Sequence, residues 1–392
     1  MHSDAGTPAP AEVGTLPLAE RRIASLPCST AGFVGLAPGG PIGEPRRVES
    51  FEQFAAAFSD PAQPRCGPFA VDAKLAHAVR GFFRNGGRAC WVVRAGGAAG
   101  VAAVEGLVAG VRALAALDEP TAIAVPDAHE PAADEQGAAI VQRELVASCQ
   151  RVVGRIALID PPPGLDPGAM LAWRAQTRID SPAAVAYYPW VEVSDPASGS
   201  TTAAPPCGHV TGVWARVDGR AGGPQRAPTA EVVLAADGPV TGLSAGEQHS
   251  LNRAGVNCLR AWPGPELRAW GARTLSAEAE LRYLHRQRIV GHLAASIAQG
   301  TRWALDEPDR ARRREQLRAT VTAFLSSWWR TGALHGDSPA QAFYVRCDDE
   351  LETEGAHARD DIVLEVGLAV RRAGDFRVLR IAHRGGAPAH LA

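Results

Sequence analysis

The chain has 392 residues, 46% apolar and 21% charged, and its 40 basic and 42 acidic side chains leave a formal charge of −2. That length can bury two or three domain cores, and the balance gives no whole-chain attraction to nucleic acid or an anionic membrane. No apolar run reaches membrane-spanning length, and the opening MHSDAGTPAPAEVG lacks the basic and apolar regions of a signal peptide.

Residues 1–21 are rich in Pro, Ala and Gly and predict a flexible arm. Ordered structure is expected from Arg22, and residues 22–98 read as the first part of a core. Ala31 to Val34 predicts a short buried strand, followed by a glycine-proline turn, GLAPGGPIG, at 35–43. A helix follows Ser50, with Gln53 placed for a capping box and Phe51, Phe54 and Phe58 as its apolar stripe. A second helix presents Leu75, Val79 and Phe82 and stops at Asn85-Gly86-Gly87. Ala89 to Val93 reads as a strand.

Residues 99–245 alternate strand-like runs, at 121–127, 155–163 and 184–193, with Ala- and Leu-rich helical stretches. That alternation predicts an α/β layer with a largely parallel sheet. Two stretches, 195–208 and 218–229, read as surface loops. Residues 246–375 change to an α+β pattern. One helix carries Leu281, Leu284, Ile289, Leu293 and Ile297, and another starts near Pro308 and repeats Leu317, Val321, Phe324 and Trp328. Strands are expected at 342–347, 361–370 and 376–381, with residues 376–392 as a final strand and arm.

Little in this order carries catalytic chemistry. GLAPGGPIG lacks the Lys-Ser/Thr of a phosphate loop, and the next helix begins seven residues too late to cradle an anion. His285 and His292 have no carboxylate at a spacing that completes a metal site. The seven cysteines, Cys28, Cys66, Cys90, Cys149, Cys207, Cys258 and Cys347, include no C-x-x-C pair, so they read as reduced, mostly buried thiols of a cytoplasmic protein. No cofactor is expected. Basic side chains are nearly all arginine, with Lys74 the single lysine. Their densest run is Arg310, Arg312, Arg313, Arg314 and Arg318, either a solvated helix face or an ionic contact with a protein partner. Nucleic acid is disfavoured there, because no aromatics are interleaved at stacking spacing.

LNRAGVNCLRAWPGPELRAWGARTL at 251–275 resembles a segment of contractile tail sheath proteins. So do STAGFVGLAPGGPIGEP, FFRNGGRACWVVR, PCGHVTGVWARVD, FLSSWWRTGALHGDSPAQAFYVRCD and DIVLEVGLAVRRAGDFRVLRI, in the family's order. The run Ala369-Val370-Arg371-Arg372 departs from the family pattern by lacking its proline. The resemblance implies a middle α/β domain, a C-terminal α+β sheath domain and extended N- and C-terminal arms. It implies a subunit that polymerises as stacked hexameric rings around an inner tube and contracts, with baseplate and cap proteins as further partners. Neither nucleic acid nor membrane insertion is implied, and assembly would take place in the cytoplasm. Strand exchange between subunits would use Phe376, Val378, Leu379 and Ile381, and the arginine run would face the tube or a neighbouring subunit. The family's middle region resembles subtilisin in fold, so a serine hydrolase is the competing reading. His209, His335 and Ser338 lack the motif context of a triad. A baseplate or cap protein with the same C-terminal domain is a third reading.

Overall fold

Ala31, Phe33 and Val34 are all buried, and so are the glycines between and after them, because this strand lies inside a sheet covered on both faces. The computed structural model describes residues 21–63, 65–69, 74–96, 100–129, 135–262, 264–348, 362–383 and 390–391; the arm 1–20 lies outside them. In chain order the first half contains β1 (Ala31–Gly35), β2 (Arg46–Val48), α1 (Phe51–Phe58), α2 (Leu75–Arg84), β3 (Cys90–Arg94), α3 (Gly100–Ala115), β4 (Ala122–Ala124), α4 (Glu135–Gln150), β5 (Ile156–Ile159), α5 (Pro167–Thr177) and β6 (Ala184–Tyr188). Next come β7 (Val191–Ser194), β8 (Thr201–Ala204), α6 (Cys207–Ala221), β9 (Glu231–Val232), β10 (Gly238–Pro239), α7 (Ala245–Arg253), β11 (Val256–Ala261), β12 (Leu267–Trp270) and α8 (Leu284–Gly300). The chain ends with α9 (Arg310–Arg330), α10 (Pro339–Ala342), β13 (Phe343–Arg346), β14 (Ile362–Leu368), β15 (Arg377–His383) and β16 (His390–Leu391).

Contacts divide the chain into two units. The larger, Ser25–Ala295, is built on a nine-stranded sheet of order β2-β3-β1-β4-β5-β6-β11-β12-β9. Its central strands run parallel from β3 through β11, and antiparallel strands close both margins. On one face Phe54, Phe58, Leu75, Val79, Phe82, Val210 and Trp214 form the core. On the other, Leu107, Val111, Leu114, Val141 and Leu145 pack against Val34 and Val93. A second, three-stranded sheet has the order β10-β7-β8. The smaller unit takes Ser296–His390 with the chain's first residues, of which Arg21 to Ala24 are described, and contains the antiparallel sheet β13-β14-β15-β16.

The expected parallel α/β layer is therefore present, with α1 and α2 where the apolar stripes placed them. Ser50 accepts the amide of Gln53, while Gln53 Oε1 takes the amide of Glu49 instead of that of Ser50. Three expectations differ from the structure. The larger unit extends to 295, past the expected change at 245, because the hairpin β11–β12 is paired to β6 and completes the large sheet. The run 184–193 is two strands, since Pro189 has no amide to continue a ladder. The loop read at 195–208 contains β8, whose residues pair with β7 from Val191 to Ser194, and α6 runs on through Ala221 into the second presumed loop.

Candidate functional site

The arginine run lies on the first three turns of α9. Asp309 caps that helix, its carboxylate accepting the amides of Ala311 and Arg312 at 3.0 and 3.1 Å. Leu317, Val321, Phe324, Leu325 and Trp328 are buried as the periodicity demanded. Arg313 sits one turn before Leu317 on that same stripe, and for this reason it is buried, donating from Nη1 to the Glu307 carbonyl at 3.1 Å. It therefore faces its own core and not a partner. Arg310, Arg314 and Arg318 form an i, i+4 row on another face. Arg310 and Arg318 are exposed and Arg314 is half-buried. Arg312 is exposed and lies 4.0 Å from the Glu307 carboxylate. Trp329 is half-buried, and its indole N–H donates to the Gly336 carbonyl at 2.8 Å, so it is satisfied within its own unit.

The presumed exchange strand is β15. It pairs with β14 along its whole length, from Leu368 opposite Arg377 to Ile362 opposite His383. Strand alternation buries Leu379 and Ile381 and leaves Val378 about half exposed. Phe376 meets Tyr344 edge-on at 5.2 Å. Leu379 and Ile381 are thus core residues of this chain's own sheet. The sheet neighbour of β15 on its second edge is the two-residue β16. Glu365 on β14 gathers Arg380 at 3.1 Å, the Tyr344 hydroxyl at 3.3 Å and Arg346 at 3.7 Å, which locks the register of three strands.

The residues that a hydrolase would need do not form a triad. His209 is buried in α6 and its ring nitrogen meets the Ala235 carbonyl at 3.2 Å, not a hydroxyl. Burial pushes its pKa down to about 4. Its glycine-flanked context has a packing cause: a Cβ on Gly208 would lie 2.0 Å from the Ala78 carbonyl oxygen, and one on Gly212 would lie 2.4 Å from that of Phe82. The run PCGHVTG is the face by which α6 lies directly on α2. His335 and Ser338 belong to the other unit, where the His335 amide bonds the Ala369 carbonyl and Ser338 precedes the short α10. No group of three metal-ligating side chains occurs among the described residues. The loop at 35–43 is occupied by its own chain: Asp127 accepts the Leu36 amide at 2.8 Å, and Arg94 donates to the Gly40 carbonyl at 2.7 Å.

Three buried ionisable residues escaped the sequence reading. Arg288 on α8 forms a two-pronged pair with Asp218 of α6, also bonds the Cys28 carbonyl, and lies over the Trp214 ring at 5.0 Å. Asp160 follows β5 beside the start of α6, and burial lifts its pKa to about 7 against hydrogen bonds from Cys207. The available signal was a lone charge at the end of an apolar run, as in IALID and VWARVD.

Residues 99–275 match the family described as phage tail sheath protein central domain. Among curated proteins none matches the chain. Solved structures share its fold. A chain of the contracted sheath complex of PVC, an extracellular contractile injection system, is 21% identical, with 96% of this chain and 97% of that one covered at a TM-score of 0.70. A chain of the contracted helical sheath of the anti-feeding prophage is 23% identical over 95% of this chain and 98% of that one, at 0.72. The sheath tail protein from Listeria innocua is 11% identical over 94% and 98%, at 0.65. These are sheath proteins and show the fold, and the family match over 99–275 agrees with the resemblance read from the motifs.

Proposed function

We propose that this chain, whose residues 99–275 match the phage tail sheath protein central domain, is the sheath subunit of a contractile, phage tail-like particle, stacking as hexameric rings around an inner tube and shortening to drive that tube through a target envelope. The observation that carries this reading is the central-domain match, set in a fold that agrees with contracted sheaths across 95–96% of the chain. Assembly takes place in the cytoplasm, against a baseplate and under a cap. The arms join neighbours by adding strands to sheet edges. Backbone hydrogen bonds do not depend on side-chain identity, so such a joint survives while subunits rotate. In this chain the joint uses the second edge of β15 near Phe376 and Val378, with Leu379 and Ile381 holding the strand in place from the core. The row Arg310, Arg314 and Arg318, with Arg312, faces carboxylates of the tube or of an adjacent subunit. Contraction is the switch of a bistable set of such interfaces.

Deleting residues 1–20 tests the arm. The truncated chain should stay soluble and unfold cooperatively, but should sediment as a monomer under conditions where the full chain forms large particles. Normal polymerisation of the truncated chain would refute strand exchange through the N-terminus.

A further inference from the structure

Arg21 and Ile23 turn onto the smaller unit, while Arg22 and Ala24 are exposed. The Arg21 guanidinium lies 4.0 Å from the centre of the half-buried Trp303 ring and donates from Nη1 to Gln316 Oε1 at 3.2 Å. Gln316 is itself buried, beside Leu317 on α9. Ile23 is buried against the last residue of α8, where a Cβ on Gly300 would lie 2.8 Å from the Ile23 side chain. A cation stacked on tryptophan and a branched side chain fitted against a bare glycine make a two-point seat. The chain beside a terminal arm is ordinarily the least tied-down part of a domain; here two side chains hold it.

The place of the seat bears on the arm. Ala24 is the last residue that the first stretch of chain gives to the smaller unit. The ties that follow, the Cys28 carbonyl on Arg288 and Ser29 on Asp218, belong to the larger unit. With the seat formed, residues 1–20 leave from the unit that contains β15. With it broken, they leave from the larger unit on a longer tether, and the effective concentration of a tethered segment at its target falls with tether length. We propose that Arg21 and Ile23 are positioning residues of the arm: seated on Trp303, Gln316 and Gly300, they fix its point of departure on the smaller unit and so aim it at a second copy of this chain. This rests on the reading of residues 1–20 as a strand-exchange arm.

Limited trypsin digestion and sedimentation velocity on the purified full chain test it together. Residues 1–20 contain neither lysine nor arginine, so Arg21 and Arg22 are the first tryptic sites, and a cut after Arg22 requires Ile23 to leave its seat. Trp303→Ala should speed that cut about tenfold and weaken association at least about threefold. Trp303→Phe keeps a ring under Arg21 and should stay near the wild type in both. Gly300→Ala leaves the ring in place and should also speed the cut and weaken association, although alanine is the better helix former. An unchanged cut in either alanine variant, or a faster cut with wild-type association, overturns the positioning role and leaves the arm reading standing. The arm reading itself falls only if the chain lacking residues 1–20 still polymerises.

Discussion

Replacing Asp218 with asparagine keeps the volume of the side chain and removes its charge. In the wild type the Asp218 carboxylate accepts Ser29 Oγ at 2.6 Å and both ends of the Arg288 guanidinium, with side-chain exposures of 5% for Arg288 and 1% for Asp218. The variant leaves a buried cation that keeps one neutral amide oxygen, the Cys28 carbonyl and the Trp214 ring but has lost its counter-charge and one acceptor. Removing one partner of such a pair costs about 3–5 kcal/mol. At about 2–4 °C per kcal/mol for a domain of this size, Tm should fall by roughly 6–20 °C. The double variant Asp218→Leu with Arg288→Met removes both charges and should recover to within about 1 kcal/mol of the wild type. Urea denaturation followed by tryptophan fluorescence gives both numbers. A loss below about 1 kcal/mol for the single variant, or a double variant worse than the single, would refute the view that this pair is costly to break and cheap to replace.

Gly208→Ala tests the packing of α6 on α2 through its sign. Helix propensity alone would stabilise by up to about 1 kcal/mol, whereas the 2.0 Å approach to the Ala78 carbonyl predicts a loss of at least about 2 kcal/mol in the same assay. Asp160→Asn should raise stability at alkaline pH. The folded chain holds a proton on Asp160 up to about pH 7 that the unfolded chain releases near pH 4, so wild-type stability falls as pH rises through that window and is level above it. The advantage of the variant should grow between pH 5 and pH 8 to at most about 4 kcal/mol; pH-independent parallel melting curves would remove the basis for a protonated Asp160. Arg313→Ala should cost about 1–3 kcal/mol of stability, whereas Arg318→Ala should change it by no more than about 0.5 kcal/mol and instead weaken co-assembly with the tube at low salt. Equal effects of the two on melting would contradict the burial of Arg313.

What could be read from the residues was what local periodicity encodes. The phenylalanines of α1, the stripe of α2 and the row Leu317, Val321, Phe324 and Trp328 each declare a helix and its buried face before any contact is known. The alternation of the middle region likewise declared a parallel layer. The unit boundary was hidden because the β11–β12 hairpin joins β6, a strand some seventy residues earlier, and no local signal records a distant pairing. The strand β8 was hidden for a similar reason: Thr201 to Ala204 lies in a loop-like composition and is ordered by β7. Arg313 was legible in principle, since it stands four residues before Leu317, but an arginine run reads as surface until one side of the helix is seen to be full. Leu379 and Ile381 show a further limit. Strand character in β15 was evident, but which chain supplies its neighbour is a property of pairing and not of composition.

Electron microscopy of the purified full chain, alone and co-expressed with a small tube protein of a contractile particle, tests the central claim most directly. The account predicts hollow rings and stacked tubes with sixfold symmetry, with tubes lengthened by the partner. Uniform monomers in both preparations, at concentrations where contractile sheaths assemble, would contradict it.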